Sequence, residues 1–230
     1  MKTFRIITSL LFILMVTMIL SSVTGFNPLF VAPALVLLGF VPRPKQVALF
    51  TFTDLLWADG KENMGGLKRI GWFAPISTID NFPALVDTPA TAEDEVSLES
   101  VTGFTFLNSA TFHRLYSTQE TSFVTDEIQG EINGQSFVHK AQIFFPGTEA
   151  EALAFAKAIS NTDMVFIFEE ISGRRRVIGS KDWPAVCKPV ITTGQKAADR
   201  KGLTLEISSQ GYTPAPLYSG AIDDGTSGSS

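Results

Sequence analysis

The first part of the chain is set apart by its lack of charge, because no charged residue occurs between Arg5 and Arg43. Arg5 is followed by Ile6–Leu20, an apolar run interrupted only by Thr and Ser, and a second apolar stretch covers Pro28–Val41. Basic residues before an apolar run are typical of a secretory signal or a membrane anchor. We therefore expect residues 1–44 to be a hydrophobic leader that contains an N-terminal helix.

The fate of this leader stays open at the sequence level. The run Ile6–Val23 just reaches the length that spans a bilayer. The small residues from Ser22 to Gly25 do not form a clear cleavage site. The leader therefore predicts membrane contact or export, or else a segment that is removed or buried in an assembly. No cysteine lies near the apolar run, which excludes an N-terminal lipid anchor.

The overall composition excludes several classes of protein. The formal net charge is −5, which disfavours a protein that binds duplex DNA by neutralising phosphates, so we expect no specific nucleic-acid partner. Cys187 is the only cysteine, which excludes an internal disulfide and a zinc site built from several cysteines. The many Phe residues recur at alternating positions, as half-buried strands require.

The composition changes at Pro42-Arg43-Pro44, and two prolines this close break a helix. We place a β-rich assembly domain at residues 45–222 and a disordered Gly/Ser-rich tail at 223–230. Within the domain, the acidic stretch Thr88–Ser100 indicates a solvated loop. The alternating apolar segments predict strands at Ile70–Ile79, Phe104–Asn108, Thr111–Tyr116, Phe123–Ile132, Phe137–Phe145, Met164–Ile171, Arg174–Ser180 and Leu203–Ile207.

Short turns between most of these segments favour an antiparallel series. Asn133-Gly134 predicts a tight hairpin with a type I′ turn, since that turn needs positive φ at both central residues. Phe137–Phe145 is partly apolar on both faces, so we expect it to be central in a sandwich or covered on its second face. The predicted fold class is mainly β, a β-sandwich or barrel-like antiparallel sheet.

One α-helix flanks the predicted sheet. Thr148 and Glu151 have the spacing of a capping box at its start, and Asn161 is a plausible end. Ala152, Phe155, Ala156 and Ile159 form a narrow apolar stripe, and we expect this stripe to lie against a sheet.

No pattern in the chain predicts a catalytic, cofactor-binding or metal-binding residue. His113 and His139 fall inside predicted strands without a nearby triplet of metal ligands. Gly65-Gly66 lacks the residues of a phosphate-binding loop, and no serine lies in a Gly-x-Ser-x-Gly turn. Glu169-Glu170 are adjacent in a predicted strand, so their side chains point to opposite faces. We expect a protein without enzymatic activity and without cofactors.

Arg174, Arg175 and Arg176 follow a predicted tight turn and have two interpretations. They form a solvated turn, or they contact another subunit, because arginine pairs well with carboxylates and is enriched at interfaces. Glu93, Asp94 and Glu95 on a neighbouring copy are the candidate partners. These six residues are the only candidate site residues that the sequence offers.

Three segments resemble a known class of proteins: FFPGTEAEALAFAKAI at Phe144–Ile159, VFIFEEISGRRRVIGS at Val165–Ser180, and AADRKGLTLEISSQGYTPAPLY at Ala197–Tyr218. They resemble virion structural proteins of tailed phages and prophages of Bacteroidetes-type bacteria, in particular tail-tube-like proteins. The resemblance implies a β-sandwich with one flanking helix, which forms rings, commonly hexameric, that stack into a tube. It also implies that no catalytic residue is present.

The function expected from the sequence is therefore that of a phage tail tube subunit in the virion, whose partners are further copies of itself and other virion proteins. A phage head or capsid protein is an open alternative. So is a membrane-anchored or exported β-domain with a binding role, because the leader is not part of a standard tube subunit.

Overall fold

The structure is a computed structural model that describes residues 54–60, 62–87 and 89–226. The chain divides into two units, Met1–Asp59 and Gly60–Ser230. The hydrophobic leader, its predicted helix and the predicted domain start at residue 45 lie outside the described residues. Within the described residues, no helix has the length and apolar character needed to cross a membrane. All of the described helices and strands belong to the second unit.

Antiparallel strands dominate this unit, which confirms the mainly β class with one helix. Its strands are β1 (Leu67–Pro75), β2 (Ile79–Asn81), β3 (Thr105–Phe106), β4 (His113–Tyr116), β5 (Phe123–Gln129), β6 (Ser136–Pro146), β7 (Met164–Glu170), β8 (Arg175–Ile178), β9 (Val186–Thr192) and β10 (Gly202–Gly211). The helix is α1 (Ala150–Ile159), and short 3₁₀ turns cover Ile76–Thr78 and Asp94–Val96.

Eight of these strands form two four-stranded sheets. Sheet I has the order β4-β1-β7-β8, and sheet II has the order β5-β6-β10-β9, with antiparallel pairing throughout. β2 and β3 form a separate pair. Neighbours in the sheets include strands far apart in sequence, such as β1 with β7 and β6 with β10, so the sheets depend on non-local contacts.

The two sheets share one hydrophobic core. Phe166 and Phe168 of β7 project into it from sheet I, while Leu203, Leu205 and Ile207 of β10 project into it from sheet II. These residues alternate along their strands with residues of the opposite face, as the two-residue period of a strand requires. Burial of such side chains is the main source of stability, at about 1.5–3 kcal/mol each.

The opposite face of sheet I carries a second core rich in aromatic residues. Val165 and Ile167 of β7 lie there beneath Phe112 and Tyr218. The ring of Phe104 meets the rings of both residues edge-on, with centroids 5.2 and 5.0 Å away. Strand β7, in the interior of sheet I, is therefore covered on both faces, which explains why it begins with five consecutive buried residues.

β6 is an interior strand of sheet II, as its two-sided pattern predicts. His139, Ala141 and Ile143 are buried, whereas Lys140 on the other face is exposed. The connection to β5 differs from the prediction. Residues 130–135 form a longer loop between the paired ends of the two strands, and only Asn133 of the predicted Asn133-Gly134 turn has a positive φ, of 70°. The prediction of a type I′ turn at Asn133-Gly134 is therefore wrong.

Helix α1 buries Ala152, Ala156 and Ile159, with Phe155 packed against the shared core, so the predicted apolar stripe is confirmed. The predicted capping box is wrong. The N-cap is Glu149, and it makes no side-chain capping hydrogen bond. A box based on Thr148 needs the helix to begin one residue earlier.

The end of the domain also differs from the expectation. Asp223–Thr226, assigned to the disordered tail, has defined contacts. The Phe112 amide donates to the Asp223 carbonyl at 2.9 Å, and Trp72 Nε1 donates to Asp224 Oδ2 at 3.3 Å. Residues 227–230 lie outside the described residues.

Candidate functional site

The three arginines that the sequence marks as interface candidates have different environments. Arg174 is exposed at the turn before β8, while Arg175 and Arg176 are half-buried on opposite faces of the strand. Arg175 Nη1 donates to the Gly220 carbonyl at 2.8 Å, and its guanidinium lies 5.8 Å from the centre of the Tyr218 ring. Arg175 thus binds the C-terminal segment of its own chain, the residues 212–226 that follow β10.

Arg176 extends from sheet I to sheet II. Its Nε donates to Glu170 Oε1 at 2.5 Å on the neighbouring strand β7, and its Nη1 donates to Asp126 Oδ2 at 3.0 Å on β5. The sequence does not predict this cluster, because Asp126 lies 50 residues from Arg176 and neither strand pattern indicates the pairing. Among the described residues, the side chain of Arg174 makes no hydrogen bond or ion pair, unlike the side chains of Arg175 and Arg176.

Asp126 also binds His139, so the cluster has four ionisable members. His139 Nδ1 lies 2.8 Å from Asp126 Oδ1, and His139 is only 3% exposed. Burial disfavours the charged form of Asp126. Hydrogen bonds from His139 and the Ala215 amide, together with the charges of His139 and Arg176, outweigh it and hold the pKa of Asp126 below its usual value.

Glu170 is the fourth member and is also kept ionised. Burial opposes its charge, but hydrogen bonds from Arg176 and Ser172 and the nearby arginine charges lower the pKa of Glu170. We call Asp126, His139, Glu170 and Arg176 the charge cluster. Two of its members belong to each sheet, so it links the sheets with charge-assisted hydrogen bonds.

The register places an Asp, a His and a Ser in one row of sheet II. Asp126 pairs with His139, and His139 pairs with Ser209 of β10. Acyl transfer needs a hydrogen bond from the serine to the imidazole. The Ser209 hydroxyl instead donates to the Trp183 carbonyl at 2.8 Å, and Nε2 of His139 faces Gly211, where a Cβ atom would be 2.6 Å away. The row therefore has the residue types of a triad and its Asp–His contact, but it lacks the hydrogen bond between serine and histidine.

His113, Cys187 and Glu169 lie apart from one another and outside the charge cluster. His113 is exposed on β4, with its ring 5.4 Å from the Phe73 ring. Burial raises the pKa of Cys187 to about 12, which keeps it a thiol. Glu169 binds Lys68 and Glu170 binds Arg176, on opposite faces of β7 as expected. Across the described residues, no three His, Cys, Asp or Glu side chains could together hold a metal ion.

The acidic candidates form a short turn rather than a fully solvated loop. Asp94 begins the 3₁₀ turn, and its Oδ2 accepts hydrogen bonds from the Thr91 amide and hydroxyl, each at 2.9 Å. Glu93 is exposed, and Glu95 is half-buried. The nearby Leu98 is buried in the second core. Within the described residues, no ion pair joins this turn to the three arginines, so their predicted pairing between copies stays a prediction.

A shallow groove of about 510 Å³ opens on sheet I. Its polar and aromatic lining consists of Lys68, Arg69, Trp72, Arg114, Gln119 and Glu169. Lys68 Nζ is 2.6 Å from Glu169 Oε1, and Arg69 Nε donates to Gln119 Oε1 at 3.1 Å. At one end, Arg114 Nε lies 2.7 Å from Asp224 Oδ2 of the C-terminal segment. We call this surface the basic groove. No sequence pattern predicts it, because its residues come from separate strands.

Comparison with known proteins does not assign the chain to a family. No protein-family model, curated protein or solved structure matches the chain. The resemblance to phage virion proteins therefore rests on the three sequence segments alone, and the function has to be argued from the surfaces of this molecule.

Proposed function

We propose that this chain is a non-enzymatic structural protein that associates with further copies of itself. One observation carries the proposal. Of the described residues, none on the outer face of sheet II belongs to either core, and Phe123, Val186 and Val190 on this face are about half exposed. Phe123 lies on β5 at one edge of the sheet and both valines lie on β9 at the other edge, so exposed apolar side chains border this face on both sides. Exposed apolar surface is a feature of protein interfaces.

The edges of sheet II support the same proposal. β5 and β9 are its outermost strands, and each pairs on one side only among the described residues. An unpaired strand edge can pair with another chain. Pro189 lies within β9 and removes one donor from that edge, which directs contacts towards the side chains of the outer face.

In its narrower form, we propose a virion protein of tailed phages, most simply a tail tube subunit that forms stacked rings, possibly hexameric, and contacts other virion proteins. The three segments that resemble tail-tube-like proteins support it. So does the order of elements, in which strands are followed by one helix, a hairpin and closing strands. A phage head or capsid position is the alternative within the virion.

A second candidate function follows from the leader. The uncharged stretch between Arg5 and Arg43 favours a membrane-anchored or exported β-domain with a binding role. Fractionation of cells that express the full chain, with sequencing of the mature N-terminus, separates the candidates. A leader retained in the membrane fraction, with no particle in the soluble fraction, favours the anchored protein.

Self-association is tested with the purified full chain in mild detergent, by sedimentation velocity and electron microscopy. We expect oligomers at micromolar concentration, with rings or tubes for the tail-tube form. A chain that sediments as a monomer throughout this range contradicts the proposal.

The role of sheet II is tested by adding charge to its outer face. Val186→Lys with Val190→Lys should weaken association, because charged side chains are depleted from interface cores. Gln195→Lys with Ala198→Lys is the matched control, since it adds the same charge to exposed positions of the β9–β10 loop. Equal association by the two variants assigns self-association to another surface.

A further inference from the structure

We propose that copies of this chain join head to tail through sheet I, with the basic groove of one copy bound to an acidic segment at the opposite edge of the next. This inference rests on the proposed self-association and adds a second contact, through sheet I, to the one proposed through sheet II. It replaces the pairing expected from the sequence, because Arg175 and Arg176 are engaged within their own chain.

The basic side of the contact is unusual in a chain of net charge −5. Three cationic side chains, of Lys68, Arg69 and Arg114, line the groove with one carboxylate, that of Glu169. Lys68 and Arg69 are exposed. A charged surface of this kind attracts a ligand of opposite sign and raises the rate of encounter.

The groove already holds a carboxylate of its own chain. Asp224 accepts hydrogen bonds from Trp72 and Arg114 at one end of it. A hydrogen bond from Thr226 and a second one from Arg114 lower the pKa of Asp224. The groove therefore binds one carboxylate of the C-terminal segment. At its other end, Lys68 and Arg69, which contact Glu169 and Gln119, are the exposed cations that a second carboxylate-bearing segment would meet.

The acidic side is equally distinct. Between Arg69 and Arg114 the chain contains no Lys or Arg but six acidic residues, Asp80, Asp87, Glu93, Asp94, Glu95 and Glu99. We call residues 87–99 the acidic segment. It carries five of the six and includes the exposed Asp87 and Glu93.

The strand order places these two surfaces at opposite ends of sheet I. Beyond β8, Arg176 bridges to Leu217, and Leu217 bridges in turn to Ser97 within the acidic segment. The Leu98 amide donates to the Leu217 carbonyl, and the Leu217 amide donates to the Val96 carbonyl, both at 2.8 Å. At about 4.8 Å per strand, Ser97 lies four steps, roughly 19 Å, from β1.

This separation is the reason for a contact between copies. The acidic segment is held to the far edge by backbone hydrogen bonds, so it cannot reach the groove of its own chain. A second copy can present the segment to that groove. Each copy then has one free groove and one free segment, which is a heterologous contact that closes into a ring or extends as a filament.

The test is a charge swap in the full chain, followed by sedimentation velocity. The groove variant is Lys68→Glu with Arg69→Glu, and the segment variant is Glu93→Lys with Glu95→Lys. Arg114 and Asp94 are kept because they hold Asp224 and Thr91 in place. Each variant alone should associate about tenfold or more weakly than the native chain, since like charges then face each other.

Mixing the two variants supplies the deciding result. An acidic groove should bind a basic segment, so the mixture should regain association that neither variant shows alone. Lys181→Glu with Lys196→Glu is the control, because it reverses two exposed charges in the loops before and after β9, outside the groove, the acidic segment and the outer face of sheet II. Thermal melting of each variant identifies any loss of association that comes from unfolding, and in that case Arg69→Glu alone replaces the groove variant.

The outcomes separate this inference from the function on which it rests. Native association that neither reversal weakens, or a mixture that does not recover, overturns the head-to-tail contact and leaves self-association through sheet II in place. A native chain that is monomeric overturns both. Binding of single-stranded nucleic acid by the native chain, lost in the groove variant while association is unchanged, assigns the groove to that ligand instead.

Discussion

At the scale of single residues, the charge cluster shows how much a fold can depend on groups that no local pattern predicts. Arg176 and His139 both bind Asp126, so the Asp126 carboxylate links ionisable side chains of the two sheets. A buried charge that loses its partner costs more than an exposed pair ever contributes. Asp126 is therefore the residue at which a small chemical change should have a large effect.

We expect Asp126→Asn to lower the free energy of unfolding by about 1–3 kcal/mol, because Arg176 and His139 lose the charge of their shared partner. Glu127→Gln is the matched control. Its carboxylate binds Lys140 at the surface, and such a pair contributes about 1 kcal/mol or less. Urea denaturation of both variants measures the difference, and equal losses contradict the importance of the cluster.

The same residues predict how stability changes with pH. The pKa values of Asp126 and Glu170 are lower in the folded chain than in the unfolded chain. The unfolded state therefore binds more protons, and stability rises with pH. This contribution is fully present above the unfolded pKa values, near pH 4, and is lost as pH falls through the folded values.

Denaturation midpoints measured from about pH 7 to about pH 3 should fall at the acidic end. They should fall less steeply for Asp126→Asn, which has no carboxyl to titrate at that position. Parallel curves for the native chain and the variant contradict a role of Asp126 in acid stability.

At the scale of elements, the sequence predicts well what depends on local periodicity and poorly what depends on pairing. β6, β7, α1 and β10 follow from their apolar spacing. β9 is missed because Pro189 and Lys188 interrupt its pattern, and it forms through its register with β10. Of the predicted strand Phe104–Asn108, only the two residues of β3 are in a strand, because φ is positive at Asn108 and Ser109.

The candidate site follows the same rule. The sequence gives Arg176 two interpretations, a solvated turn or a contact with carboxylates of another copy, and neither includes its partners within the chain, Glu170 and Asp126. Glu170 lies six residues away and Asp126 lies 50, so the true partners are brought together only by the strand order. The basic groove has the same origin, since Lys68, Arg114 and Glu169 belong to three strands.

The contact between β1 and β7 gives a prediction at this scale. Gly71 lies against the Phe168 ring, and a Cβ atom there would be 2.7 Å from Cδ1 of that ring. Gly71→Ala should therefore destabilise the chain by about 1–3 kcal/mol, because β1 or the buried ring has to shift. Gly65→Ala is the control, since a Cβ at Gly65 meets nothing within 4 Å. Similar melting temperatures for the two variants contradict a close approach of the strands.

At the scale of the whole molecule, the division of charge has its origin in the sequence but gains its meaning from the topology. The absence of Lys and Arg between Arg69 and Arg114 is visible in the sequence alone. Only the sheet order shows that this acidic stretch and the basic groove lie at opposite ends of sheet I. A subunit with different surfaces at its two ends gives an assembly a direction, whereas contacts between two identical surfaces do not.

Asp224 of the C-terminal segment occupies one end of the basic groove, so changing it should alter what the groove binds. Asp224→Asn removes the negative partner of Arg114 and makes the groove more positive. If the groove binds the acidic segment of the next copy, the variant should associate more strongly than the native chain at low salt. Added salt should reduce the difference, since it screens exposed charges.

Asp223→Asn is the control for this change. It removes the same charge from the neighbouring residue, whose side chain accepts a hydrogen bond from the Gly225 amide and, among the described residues, makes no ion pair. Stronger association of both variants would reflect the lower net repulsion between copies rather than the groove. Stronger association of Asp224→Asn alone, measured by sedimentation at matched protein concentration, ties the effect to Arg114 and hence to the proposed head-to-tail contact.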